Sequence, residues 1–183
     1  MNIKVLALRK IEKEGSRFKG IAQVVVNDAI VVDDVRIIQG PESMFIAMPS
    51  KKVEDKYFDY AHPTNPEAAA QLKETVINAY NENGHESGEK EEIAITSIKI
   101  KNIPNETGVV AVAHVVLNNC FALHDLMLVK ELSPDGKYKA RLLMPTRDDG
   151  EGNRRNIFFP TSKEVFEKLL IAILEEYKKG LNG

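Results

Sequence analysis

Six basic side chains in two short polar segments are the residues best placed to do chemistry in this chain. Lys51, Lys52 and Lys56 lie between Ser50 and Tyr60, and Arg147, Arg154 and Arg155 lie between Thr146 and Phe159. Ammonium and guanidinium groups in such segments suit phosphate oxygens, and the contacts weaken with salt because condensed counterions are released. Tyr57, Phe58 and Phe158 stand beside them, and aromatic faces stack on bases of any identity. Each segment also carries acids, Glu54, Asp55 and Asp59 in the first and Asp148, Asp149 and Glu151 in the second. Both are close to neutral, so on charge alone a solvated connector accounts for them as well.

Other chemistry has less support. His114 and His124 flank Asn118-Asn119, with Cys120 at the turn, and a hairpin there would bring them near each other. The close Cys–Cys and His–His spacings of zinc sites are absent, and the matching positions of the first half hold Gln23, Ala29 and Asp33. No metal and no small-molecule cofactor is expected. Cys120 reads as a small apolar residue, and His62 as a residue that orders the segment before a helix. Asp33 and Asp34, adjacent on a strand, should face opposite sides and so cannot share a proton. No Gly-rich phosphate loop, Gly-x-Ser-x-Gly or zinc-hydrolase word occurs, so no enzymatic activity is expected.

The elements that must position these residues come from a repeat. Ile21-Ala-Gln-Val-Val-Val-Asn27 aligns with Val112-Ala-His-Val-Val-Leu-Asn118, and Asp34 aligns with Asp125. Met48-Pro49-Ser50 then meets Met144-Pro145-Thr146, and Pro63-Thr64 meets Pro160-Thr161. The register slips only near turn-like residues such as Ser133-Pro134-Asp135-Gly136. Each copy reads as an alternating strand, a turn (Glu14-Gly15-Ser16 or Asn105-Glu-Thr-Gly108), and two β-branched strands around Asn27-Asp28 or Asn118-Asn119. Asn and Asp tolerate positive φ, which such hairpin turns demand. A fourth strand ends at Met-Pro, because proline cannot donate to a ladder. A polar loop and a helix follow. Thr64-x-x-Glu67 and Thr161-x-x-Glu164 have capping-box spacing, and Gly84 and Gly180 fall just past the expected helix ends.

The fold class is therefore α+β: two similar modules, each a four-stranded antiparallel meander with a C-terminal helix. Residues 1–83 form the first, 84–92 an acidic linker, and 93–183 a second, more divergent one. The net charge of −2 hides this organisation. Residues 1–81 balance to zero, residues 82–92 carry five Glu against Lys90, and the remainder is +2. Neither module is basic enough to announce nucleic acid by charge. With 43% apolar residues in 183, the chain can bury a core. The run Met1–Lys10 is too short and too charged for a signal peptide, and a single cysteine points to a reducing, cytoplasmic setting.

The words Phe45-Ile-Ala-Met-Pro-Ser-Lys-Lys52 and Asp59-Tyr-Ala-His-Pro-Thr-Asn-Pro66, with Ile30–Gly40 upstream, resemble the stage V sporulation protein G (SpoVG) septation regulators. The resemblance covers nearly all of residues 1–83. It implies a small cytoplasmic protein that dimerises and binds DNA or RNA in regulating gene expression, septation or sporulation. It also places the contact on basic residues between the Met-Pro strand end and the helix, here Lys51 and Lys52. The family's next Arg falls on Phe58, a departure, whereas Arg155 matches it in copy two. There the two Lys positions read Arg147 and Asp148, and His-Pro reads Phe159-Pro160. Two linked copies could form the dimer interface within one chain, as an intramolecular pseudo-dimer with further homo-oligomers open, since a short tether gives effective concentrations of about mM. The competing expectation is a protein–protein module that recruits a partner by strand addition, without nucleic acid. A small-molecule site between the modules is a third.

Overall fold

The computed structural model describes residues 1–104 and 108–181, so the turn expected at Asn105-Glu-Thr-Gly108 lies mostly outside the described residues. Module one runs β1 (Ile3–Lys10), β2 (Phe18–Val26), β3 (Ile30–Gln39), β4 (Met44–Ala47), β5 (Ser50–Val53), β6 (Lys56–Asp59), β7 (Ala61–Pro63) and α1 (Pro66–Tyr80), and β8 (Glu86–Ser87) lies in the acidic segment that follows. Module two runs β9 (Ile95–Asn102), β10 (Val109–Leu117), β11 (Phe121–Leu132), β12 (Tyr138–Leu143), β13 (Thr146–Asp148), β14 (Arg154–Asn156), β15 (Phe158–Pro160) and α2 (Lys163–Leu181).

Each module has the expected antiparallel meander, β1-β2-β3-β4 and β9-β10-β11-β12. The β2–β3 and β10–β11 hairpins turn on Asn27 (φ 49) and Asp28 (φ 50), and on Asn118 (φ 48) and Asn119 (φ 52). Two consecutive positive-φ residues give the turn whose twist matches that of the strands. Each turn also holds the start of its own module. Asn2 donates its backbone N–H to Asn27 Oδ1 at 2.6 Å, and Ala94 donates to Asn118 Oδ1 at 3.1 Å.

The segments after Met-Pro are not the expected loops. β5 pairs with β6 and β13 with β14, making two short hairpins, called arm one and arm two below. The chain then crosses to the other module. β7 of module one pairs with Phe121–Leu123 of β11, and β15 of module two pairs with Ile30–Val32 of β3. Each module thus lends a strand to the other's sheet. The exchange cannot be seen in either copy alone, because a short apolar run ending in proline reads as a connector.

The crossing also moves the helix caps. Thr64 donates its backbone N–H to Cys120 O and its hydroxyl to Asn119 O, both in the other module. Thr161 does the same toward Ala29 O and Asp28 O. With the threonines occupied, the caps fall one residue later, on Asn65, whose side chain accepts from Ala68 N, and on Ser162, which accepts from Val165 N. The helices return to their own sheets, α1 against β1 and α2 against β9. Helix α2 continues through Gly180 rather than ending before it.

One apolar core spans both modules. It joins Ile3, Val24, Val32, Leu72 and Val76 to Leu123, Leu126, Phe121, Phe158, Leu169 and Ile173. The two modules are therefore packed as an intramolecular pseudo-dimer. The acidic segment is tied along its length: β8 pairs with β1, Glu91 meets the N-terminal ammonium at 3.0 Å, and Lys168 meets Glu92 at 3.3 Å. No described helix is long and apolar enough to cross a membrane.

Candidate functional site

Matching β-bulges build the roots of the two arms. In module one Asp33 and Asp34 together oppose Gln23, and in module two His124 and Asp125 together oppose His114. The extra residue sits in the left-handed region, at φ 62 for Asp34 and φ 60 for Asp125, which aspartate tolerates. The bulge overturns the expectation that Asp33 and Asp34 face apart. Both carboxylates lie against Arg147, Asp33 at 3.5 Å and Asp34 in closer contact. Arg36 adds two hydrogen bonds to Asp34, at 2.9 and 3.3 Å. At the twin position Lys51 forms an ion pair with Asp125. Each arm is thus pinned at its root to a bulge aspartate of the other module.

The six basic residues therefore divide evenly. Lys51 and Arg147 are engaged between modules. Arg155 is engaged within arm two, where its Nε donates to Asp149 at 3.0 Å. That carboxylate also accepts the backbone N–H groups of Glu151 and Asn153. These hydrogen bonds hold the Asp149 carboxyl below the usual range, the Glu151 N–H contributing most. Lys52, Lys56 and Arg154 are exposed and have no ion-pair partner among the described residues. Of the three aromatic candidates, Tyr57 and Phe58 are exposed, 71% and 48%. Phe158 is fully buried as part of the exchanged strand, so it is not available for stacking.

A chain of three histidines crosses the junction beneath arm one. His62 Nε2 is 3.0 Å from His124 Nε2, and His124 Nδ1 is 2.9 Å from His114 Nδ1. His62 Nδ1 lies 2.9 Å from the Pro63 carbonyl, to which it can only donate. The polarity follows from that end. His62 Nε2 accepts from His124 Nε2–H, and His124 Nδ1 accepts from His114 Nδ1–H. Every contact is satisfied with all three rings neutral. Burial is the main cause that pushes His124 down to about 4, and His114 and His62 add to it. Burial likewise lowers His114. His124 uses opposite nitrogens toward its two neighbours, so the three rings do not converge on one ion. Among the described residues no cluster has metal-binding geometry.

These histidines, with Lys51, Asp125, Val53, Tyr57, Phe58 and Asp59, line a cleft of about 530 Å³. A smaller cleft of about 310 Å³ lies by arm two, lined by Gln23, Asp33, Arg147 and Arg155 together with Ala7, Leu8, Arg9, Ile21 and Ala22 of β1 and β2. The hairpin proximity of His114 and His124 was legible in sequence. The approach of His62 was not, because it depends on the exchanged strand.

Two fused copies of one β-meander-and-helix module, clasped by exchanged strands, define a duplicated small α+β domain protein. The SpoVG family model matches it twice, at residues 1–82 and 93–179, and the chain belongs to the SpoVG family. It is 39% identical over 92 residues to a protein of Finegoldia magna, covering 50% of this chain and 85% of that one. With a protein of Lachnospira eligens it shares 41% over 81 residues, 44% of this chain and 91% of that one. With a Listeria monocytogenes protein it shares 34% over 107 residues, 58% of this chain and all of the relative. These relatives bear the name septation protein SpoVG. Each is about the size of one module, so this chain carries the family unit twice.

Proposed function

We propose that the protein is a non-enzymatic regulator of the SpoVG type that binds DNA or RNA through its two arms. The observation that carries this reading is the division of the basic residues. Lys51, Arg147 and Arg155 are committed to aspartates and hold the arms in place. Lys52, Lys56 and Arg154 remain on the outer parts of those arms, exposed and without ionic partners among the described residues. Cations on a braced hairpin meet phosphate without a large ordering cost. The binding residues are therefore Lys52, Lys56 and Arg154, with Lys51, Arg147 and Arg155 as positioning residues.

On the sheet of module two the strand-addition alternative is less favoured. The free edge of β9 presents Lys99 and Lys101, and that of β12 presents Lys139 and Arg141. Charged edges discourage added strands.

A mobility-shift titration over a salt series tests the proposal. The triple variant K52A/K56A/R154A should weaken binding at low salt and reduce the slope of log K against log salt by about 2 to 3. A variant that binds like the parent, or no binding by the parent at low salt, overturns it.

A further inference from the structure

The two clefts overlap at four equivalent positions of the pseudo-dimer, where Lys51, Phe58, His114 and His124 match Arg147, Arg155, Gln23 and Asp33, and they differ in the rest of their lining. Tyr57 and Phe58 of arm one correspond to Arg154 and Arg155 of arm two, by the same cross-strand register. His62, His114 and His124 correspond to Phe159, Gln23 and Asp33. The twin forms the same hairpin, bulge and exchanged strand with those replacements. Two exposed aromatic rings and a three-histidine floor therefore point to a ligand, and they point to it on one side of the molecule.

The chemistry of the cleft narrows the ligand. Its one cation, Lys51, is paired with Asp125, and its three imidazoles are satisfied as neutral rings. The interior is thus no phosphate site. It offers flat apolar faces and hydrogen-bond acceptors: the Asp59 carboxylate and the His114 Nε2 lone pair left over by the tautomer order. Phosphate-binding charge lies immediately outside, on Lys52 and Lys56 of the same hairpin. Flat faces, acceptors within and cations at the rim complement a nucleotide unit with its base turned in. The volume of about 530 Å³ falls in the range of small-ligand pockets.

We infer that this cleft receives one unpaired nucleobase of a bound single strand, stacked on Phe58, which shares the face of Lys51, with Tyr57 at the rim, and read along its N–H edge by Asp59 and His114. The inference rests on the nucleic-acid reading above and adds a strand preference and a single, one-sided base site. Duplex DNA keeps its bases stacked inside, so it cannot fill the slot without extruding one.

The test uses the full chain and fluorescence anisotropy at low salt. The probes are a labelled single strand about 12 nucleotides long, the same strand with abasic sites, and its duplex. The parent should bind the intact strand about tenfold more tightly than the abasic strand or the duplex. Y57A/F58A should reduce the intact strand to the abasic level while leaving the salt slope unchanged. Both rings are exposed, and thermal melting checks that the variant is folded. H114Q, which imports the twin's residue, should lose part of the preference with the same slope. Equal parent affinity for intact and abasic strands, or an aromatic variant that binds the intact strand like the parent, overturns the base slot alone. Absence of binding to all three probes overturns the nucleic-acid reading itself.

Discussion

Asp125 and His124 show how one inserted residue fixes a site. The bulge turns Asp125 toward Lys51 and aligns His124 between His62 and His114. A folded His124 takes up a proton only near pH 4, whereas an unfolded histidine does so near 6.5. Between those values the unfolded chain binds the additional proton, so stability falls as pH drops through the window and levels off below it. The loss is on the order of 1 to 2 kcal/mol once solvent in the half-open cleft is allowed for. Urea midpoints at pH 7 and pH 4.5 should therefore differ more for the parent than for H124N. Equal differences would mean that the histidine chain does not set the acid response. Of this site, the strand positions of His114 and His124 were legible from the turn between them. The bulge was not, since an Asp-Asp or His-Asp pair carries no marker for which residue adopts positive φ.

The exchanged strands β7 and β15 tie the two sheets together, and they do so unequally. Phe158 of β15 registers with Val32, while its counterpart Ala61 registers with Leu123 beside the large Phe121. Large faces small in opposite senses at the two crossings, and all of these residues are buried in one core. Such complementarity leaves little room for Phe158 to be shortened. Phe158→Ala should destabilise the protein by about 3 to 5 kcal/mol, read as a shift in denaturation midpoint. A cost below about 1 kcal/mol would show that β15 is dispensable to the core. The meander strands were readable because apolar alternation and Asn-Asp or Asn-Asn turns are local signals. The three-residue crossing strands were not, because their partners lie about sixty residues or more away along the chain. The threonine caps were misplaced for the same reason: the hydroxyls answer to turns in the opposite module.

At the scale of the molecule, duplication turns an association between two chains into an internal one. The acidic segment then serves as a tether whose ends are already tied down, by β8 to β1 and by Glu92 to Lys168. If the exchanged strands and the shared core provide the cohesion, the tether contributes effective concentration and little else. A protease site inserted after the exposed Glu89 separates these causes. Gly88 is unsuitable, because its backbone lies against the Met1 carbonyl at φ +79. After cleavage the halves should still travel together in size-exclusion chromatography, with a light-scattering mass near 20.5 kDa. Their unfolding midpoint should now rise with protein concentration, as it does for a dimer and not for a single chain. Two half-sized species at micromolar concentration in plain buffer would show instead that the tether holds the modules together, and that the strand exchange merely follows from their enforced proximity.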